Sequence, residues 1–145
     1  MPVCKVKMAT TIENTTKNNG IVQKQQKQAI KRYCQTLELV DDADLIKEYV
    51  RAHNKDSHWK EIREGLREIG ILEMEMYLQG NRVFMIVETG LDFDWDIAFS
   101  KLATLPRQAE WESRMSLFQH TKGAKSTDKW LMMQRIFHLY DFESQ

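Results

Sequence analysis

Apolar and polar residues change rhythm several times along this chain, and each change predicts an element. Leu45, Ile46, Tyr49 and Val50 keep the two-then-two spacing of an amphipathic helix, and Asp41, Asp42 and Asp44 bring capping oxygens and negative charge to its first turn. That helix is predicted to end near His53 and Asn54. Ser57 is positioned to cap a second helix with a stripe of Trp59, Ile62, Leu66 and Ile69, closed by Gly70, where a left-handed residue is needed. Residues 71–78 then alternate: Leu72, Met74, Met76 and Leu78 point one way, Glu73, Glu75 and Tyr77 the other. Gly80 and Asn81 suit a tight turn, and residues 82–88 return as a nearly all-apolar strand that should be central.

Gly90 interrupts the pattern, Asp92 and Asp94 offer caps, and Trp95, Ala98, Phe99 and Leu102 define a third helix. Pro106 fits the first turn of a fourth, on which Trp111, Met115 and Phe118 align. Residues 120–129 read as a loop. Residues 130–140 are apolar and rich in strand formers, so they are predicted to close the sheet as a long last strand. The first strand spans residues 29–40, with Tyr33, Gln35, Leu37 and Leu39 on one face. The order is strand, helices, strand, strand, helices, strand. It predicts an α+β fold of the ferredoxin-like βαββαβ kind, an antiparallel sheet with helices on one face. The uncovered sheet face predicts a homodimer, and the glutamates on it are either a solvated face or the lining of a polar pocket that pairing two sheets would enclose.

Residues 1–28 have no sustained periodicity and are read as a disordered polar tail ahead of one domain at 29–145. Net charge is zero, yet residues 1–29 hold five lysines against Glu13 alone, so the rest of the chain carries an equal negative excess. Nothing in the folded part suggests nucleic acid. No run reaches the roughly 20 apolar residues of a membrane helix, and the polar N-terminus is unlike a signal peptide, so a cytoplasmic protein is expected. Cys4 and Cys34 have neither metal-ligand spacing nor the density of a disulfide scaffold and are read as free thiols.

Helical spacing stacks Tyr49 and His53 on one face. A phenol and an imidazole side by side form a ledge that suits a small polar substrate, since imidazole gives and takes protons near neutrality. The same spacing is equally that of a core tyrosine and a histidine ending a helix at the surface. His138 is read as structural. His58 and His120 have no partner at metal-ligand spacing, so no metal is expected.

Residues 31–139 resemble the L-rhamnose mutarotase family. The carrying pieces are Lys31-Arg32-Tyr33, Tyr49 with His53 and Asn54, Trp59 with Glu61, Tyr77-Leu78, Phe84 to Glu88, Trp95, Trp111, and residues 133–139 at the close. The resemblance implies a dimeric α/β barrel of ferredoxin-like subunits that interconverts the α and β anomers of a free deoxy-hexose such as L-rhamnose, an isomerase without cofactor. It implies His53 as the catalytic proton donor, Tyr49 as a substrate-binding residue and Trp111 as the first of two tandem tryptophans. Glu112 stands where the second tryptophan is expected, Met74 where the family has a substrate-binding tyrosine, and two extra residues separate His53 from Trp59. These departures and the fold itself keep two other readings open, the first favoured by Met74 and Glu112, the second by the fold alone. One is a small-molecule-binding or sensor domain without activity, and the other is a cofactor-free oxygenase of the same fold.

Overall fold

The structure is a computed structural model and describes residues 19–119 and 129–140. Four strands, β1 (Lys31–Glu38), β2 (Ile71–Gln79), β3 (Arg82–Thr89) and β4 (Leu131–Met132), form an antiparallel sheet in the order β2-β3-β1-β4. Helices α1 (Ala43–His53) and α2 (Lys60–Glu68) join β1 to β2, while α3 (Trp95–Leu102), α4 (Gln108–Met115) and a 3-10 turn (Ser116–Phe118) follow β3. The expected α+β, ferredoxin-like arrangement is therefore the observed one. The apolar strand β3 lies inside the sheet, paired with β2 on one side and β1 on the other.

Register explains how the sheet divides its two faces. Directly opposed residues share a face, so Tyr33–Val87–Met74, Gln35–Met85–Met76 and Leu37–Val83–Leu78 form three rows beneath the helices. A bulge between Ile71 and Glu73 turns Ile71 toward the same core, where strict alternation would have pointed it away. The rows on the other face are Arg32–Glu88–Glu73, Cys34–Ile86–Glu75 and Thr36–Phe84–Tyr77. Here Arg32 pairs with Glu88 at 2.6 Å, and the Tyr77 hydroxyl donates to Glu75.

Between sheet and helices the core falls into two clusters. Leu37, Leu39, Tyr49, Ala52, Ile62, Val83, Trp111, Met115 and Phe118 form one under α1, α2 and α4. Ile69, Ile71, Met85, Val87 and Ala98 form the other under α3. Each buried aliphatic side chain contributes about 1.5–3 kcal/mol. Asp42 caps α1 by accepting from the Asp44 and Leu45 amides, and Asp94 caps α3 by accepting from Ile97. Gly70 ends α2 at φ 104, as its place in the pattern required.

Three expectations are corrected. Ser57 does not cap α2: the helix starts at Lys60 behind Trp59, and Ser57 belongs to a turn held by Asn54. Pro106 lies ahead of α4, because Arg107 adopts a left-handed φ of 63 and delays the helix to Gln108. The long last strand is only Leu131–Met132, since none of the described residues of the chain covers the segment after it. Residues 133–140 run on exposed, with Ile136 at 91% and Phe137 at 75% of full exposure. Residues 1–18, most of the tail, and 120–128, nearly all of the predicted loop, lie outside the described residues, while 19–30 contain neither helix nor strand. Cys34 is a free thiol, and Cys4 is outside the described residues.

Gly65 marks where α2 and α4 approach most closely. A Cβ there would overlap the Gln108 amide, which donates to the Glu61 carbonyl, and would crowd Leu102. Gly65→Ala is therefore expected to lower stability by about 1–3 kcal/mol through loss of that buried hydrogen bond, read as a lower urea midpoint with an unchanged m value.

Candidate active site

The site begins at the end of α1. One helical turn separates Tyr49 from His53, their rings lie 4.5 Å apart, and His53 Nδ1 sits 2.6 Å from the Tyr49 carbonyl oxygen. A carbonyl only accepts, so Nδ1 carries the hydrogen and donates it. Nε2 is left as the nitrogen whose protonation changes. Burial lowers the His53 pKa, the bond to Tyr49 pulls it back up, and the guanidinium groups of Arg114 and Arg63 lower it further. The Tyr49 ring is buried against Phe118, and burial together with the nearby Glu112 carboxylate raises its phenol pKa, so it stays protonated.

Beyond His53 the chain makes a tight turn. The Asn54 side chain accepts from the Asp56 and Ser57 amides, its carbonyl accepts from His58 at 2.9 Å, and the turn swings His58 back toward α1. The rings of His53 and His58 end 5.9 Å apart. Trp111 on α4 meets both edge-on, at 5.2 Å from His53 and 4.8 Å from His58, and meets Trp59 at 5.4 Å. Trp59 is covered on its other side by Arg107, whose guanidinium lies 3.6 Å from the ring centre. The left-handed backbone at Arg107 is thus tied to a stacked cation.

These side chains border a cavity of about 100 Å³ between the helices and the inner sheet face. Tyr49, His53, His58, Trp111, Glu112 and Gln119 make its polar lining; Met74, Met76 and Met85 line it from the sheet as an apolar floor, with Leu66, Phe99 and Leu102 from the helices. Glu112 is 3.7 Å from Lys129, whose side chain keeps only 2% of its exposure. His58 Nδ1 and Gln119 Oε1 are buried without a hydrogen-bond partner. Buried polar atoms are ordinarily paired, so these two are departures from that rule among residues that line the cavity.

The structure brings Tyr49, His53 and Trp111 to one cavity. It leaves Glu73 and Glu75 out: both lie on the opposite sheet face and do not line the cavity described. Met74 and Glu112, the two departures, both line it. His58 and Gln119 were missed as site residues. His58 had one signal, its place in the two-residue expansion before Trp59, but only the turn shows which way that expansion folds. Gln119 had none. Among the described residues no group of three His, Cys, Asp or Glu side chains is arranged to hold a metal ion, and no helix is long and apolar enough to cross a membrane.

Comparison with known proteins bears on this geometry. A UPF0734 protein of Dictyostelium discoideum is 43% identical over 120 residues, covering 79% of this chain and 94% of its own. The L-fucose mutarotase of Xanthomonas campestris pv. campestris is 36% identical over 112 residues, covering 77% and 90%. The crystal structure of the L-rhamnose mutarotase of Formosa agariphila superposes with a TM-score of 0.55 at 16% identity, over 76% of this chain and 99% of that one, and shares the fold. The family model described as L-rhamnose mutarotase matches residues 32–139, and the chain belongs to that family.

Proposed function

We propose that this protein is a mutarotase that interconverts the α and β anomers of a free deoxy-hexose of the L-rhamnose or L-fucose type. The observation that carries the reading is the meeting of Tyr49, His53 and Trp111 around one cavity, with His53 Nδ1 tied to a backbone carbonyl. That bond fixes the ring and reserves Nε2 for substrate. His53 gives a proton to the ring oxygen as the ring opens and takes it back on closure. Tyr49, held protonated, donates its hydroxyl hydrogen to a sugar oxygen. Trp111 lies against the apolar C–H face of the sugar, and the methionine-lined floor accepts a methyl group where an ordinary hexose carries a hydroxymethyl.

A binding or sensor domain is the second reading, favoured by one observation. Glu112, engaged with the buried Lys129, occupies the place of an aromatic plate. The experiment that separates the two readings is saturation-exchange NMR between the anomers of L-rhamnose and of L-fucose. Wild type is expected to exceed the spontaneous rate on at least one of them and to act less on L-mannose and L-galactose, which add a hydroxyl. Wild type at the spontaneous rate on both deoxy sugars leaves the binding reading.

His53→Ala is expected to lose about 100- to 10,000-fold in exchange rate; since it also removes a ring packed against Tyr49 and Trp111, near-ultraviolet circular dichroism is expected to show the fold retained. Tyr49→Phe is expected to weaken sugar binding by about 0.5–1.5 kcal/mol, one hydrogen bond, while the ring still packs against Phe118. Full activity in His53→Ala would remove His53 from the mechanism.

The working unit is a homodimer in this reading. Two features support it: the half-buried Cys34, Phe84 and Ile86 on the open sheet face, and the exposed apolar segment that runs on past β4. A second copy facing the first would bury both. Sedimentation should give a dimer at micromolar concentration and a monomer for Ile86→Asp; a monomeric wild type counts against the dimer.

A further inference from the structure

We propose that His58 is the second acid–base group of the site, taking the proton of the anomeric hydroxyl while His53 serves the ring oxygen. The proposal rests on the mutarotase reading and adds to it the group that must act on the other oxygen. Ring opening changes the protonation of two oxygens on one carbon. A single imidazole bound to the ring oxygen leaves the anomeric hydroxyl to be deprotonated by something else.

Three observations point to His58. Its ring centre is 5.9 Å from that of His53, too far for a direct nitrogen-to-nitrogen hydrogen bond and close enough for one small group to bridge them. Both rings line the same cavity and both are wedged by the edge of Trp111, which fixes their relative orientation. Its Nδ1 is buried without a partner, although an imidazole used only for packing ordinarily has its buried nitrogen satisfied.

The electrostatics suit the assignment. Burial, Arg63, His53 and Arg114 together lower the His58 pKa to about 4, so it is a neutral base at physiological pH. Arg63 from α2, Arg114 from α4 and His53 from α1 all disfavour a second positive charge on the pair. Glu112 lines the same cavity and is paired with Lys129. The same surroundings lower the His53 pKa, so the form with one proton on His53 Nε2 and His58 neutral is the minority form at physiological pH and the one that reacts.

The proton inventory closes on that basis. His53 starts protonated on Nε2 and His58 neutral. His58 takes the hydroxyl proton, and the O–H electrons become the second carbon–oxygen bond of the aldehyde. The bond from the anomeric carbon to the ring oxygen breaks, and its electron pair goes to that oxygen, which takes the His53 proton. The aldehyde then rotates about its carbon–carbon bond. On closure the attacking hydroxyl returns its proton to His53, and the new anomeric oxygen recovers one from His58. The pair keeps one positive charge throughout, and no atom is oxidised or reduced.

The test uses the full chain and saturation-exchange NMR on L-rhamnose and L-fucose in imidazole-free buffer. His58→Phe keeps a ring against Trp111; it is expected to fold, by near-ultraviolet circular dichroism, and to lose at least about 100-fold in kcat with little change in KM. His58→Ala is expected to be slow and to regain rate in proportion to added imidazole, which a purely structural histidine would not allow. Wild-type rate in His58→Phe, or a slow His58→Ala that imidazole leaves unchanged, overturns the assignment while leaving the mutarotase reading in place. Wild type at the spontaneous rate on both sugars overturns that reading and this one with it.

Discussion

The cavity depends on one buried indole. Trp111 stands edge-on to His53, His58 and Trp59, so a single side chain on α4 fixes the end of α1, the turn after it and the start of α2. Edge-to-face ring pairs are each worth about 0.5–1.5 kcal/mol beyond the area they bury. Three of them at one point set positions more than they add stability. An imidazole has two useful nitrogens, and what each can do is decided by orientation. Here the wedge and the Tyr49 carbonyl together leave His53 a single free nitrogen.

Charge is distributed around the cavity with the same economy. Arg63 and Arg114 press both histidines toward the neutral form, and the carboxylate of Glu112 is answered by Lys129. Removing a lysine from water is costly unless it is paired, so the Glu112–Lys129 pair is better understood as a device for shaping the cavity lining than as a source of stability. It puts a carboxylate on the cavity wall beside Trp111. The carboxylate is a hydrogen-bond acceptor at that point, while Met74, Met76 and Met85 give the cavity an apolar, adaptable wall.

The open sheet face and the segment past β4 belong together physically. β4 is a two-residue strand, followed by one further bond from the Met133 amide to the Cys34 carbonyl, before the chain runs on exposed. Its residues have the composition of a strand, which is why the apolar run from 130 to 140 reads as one. Strand propensity, however, reports fitness for a pleated, half-buried surface rather than an intrinsic backbone preference. The described residues of one chain leave residues 131–140 exposed, so no half-buried surface forms there. Propensity therefore named the element correctly in kind and wrongly in extent.

The residue pattern alone determined the order of elements, the antiparallel sheet, the capping aspartates, the place of Gly70 and the central strand, because each rests on local periodicity or on chemistry within a few residues. It also put Tyr49 and His53 on one face, since helical spacing is enough for that. The bulge that turns Ile71 inward, the left-handed Arg107, the approach of Trp111 to two imidazoles and the return of His58 were decided by tertiary structure. Each joins residues far apart in the chain or turns on a single backbone angle, and no spacing rule contains that information. The side of the sheet that holds the cavity was settled in the same way. Glutamates alternate on β2 as plainly as methionines do, and only the packing of α2, α3 and α4 over the methionine face shows which row lines the cavity.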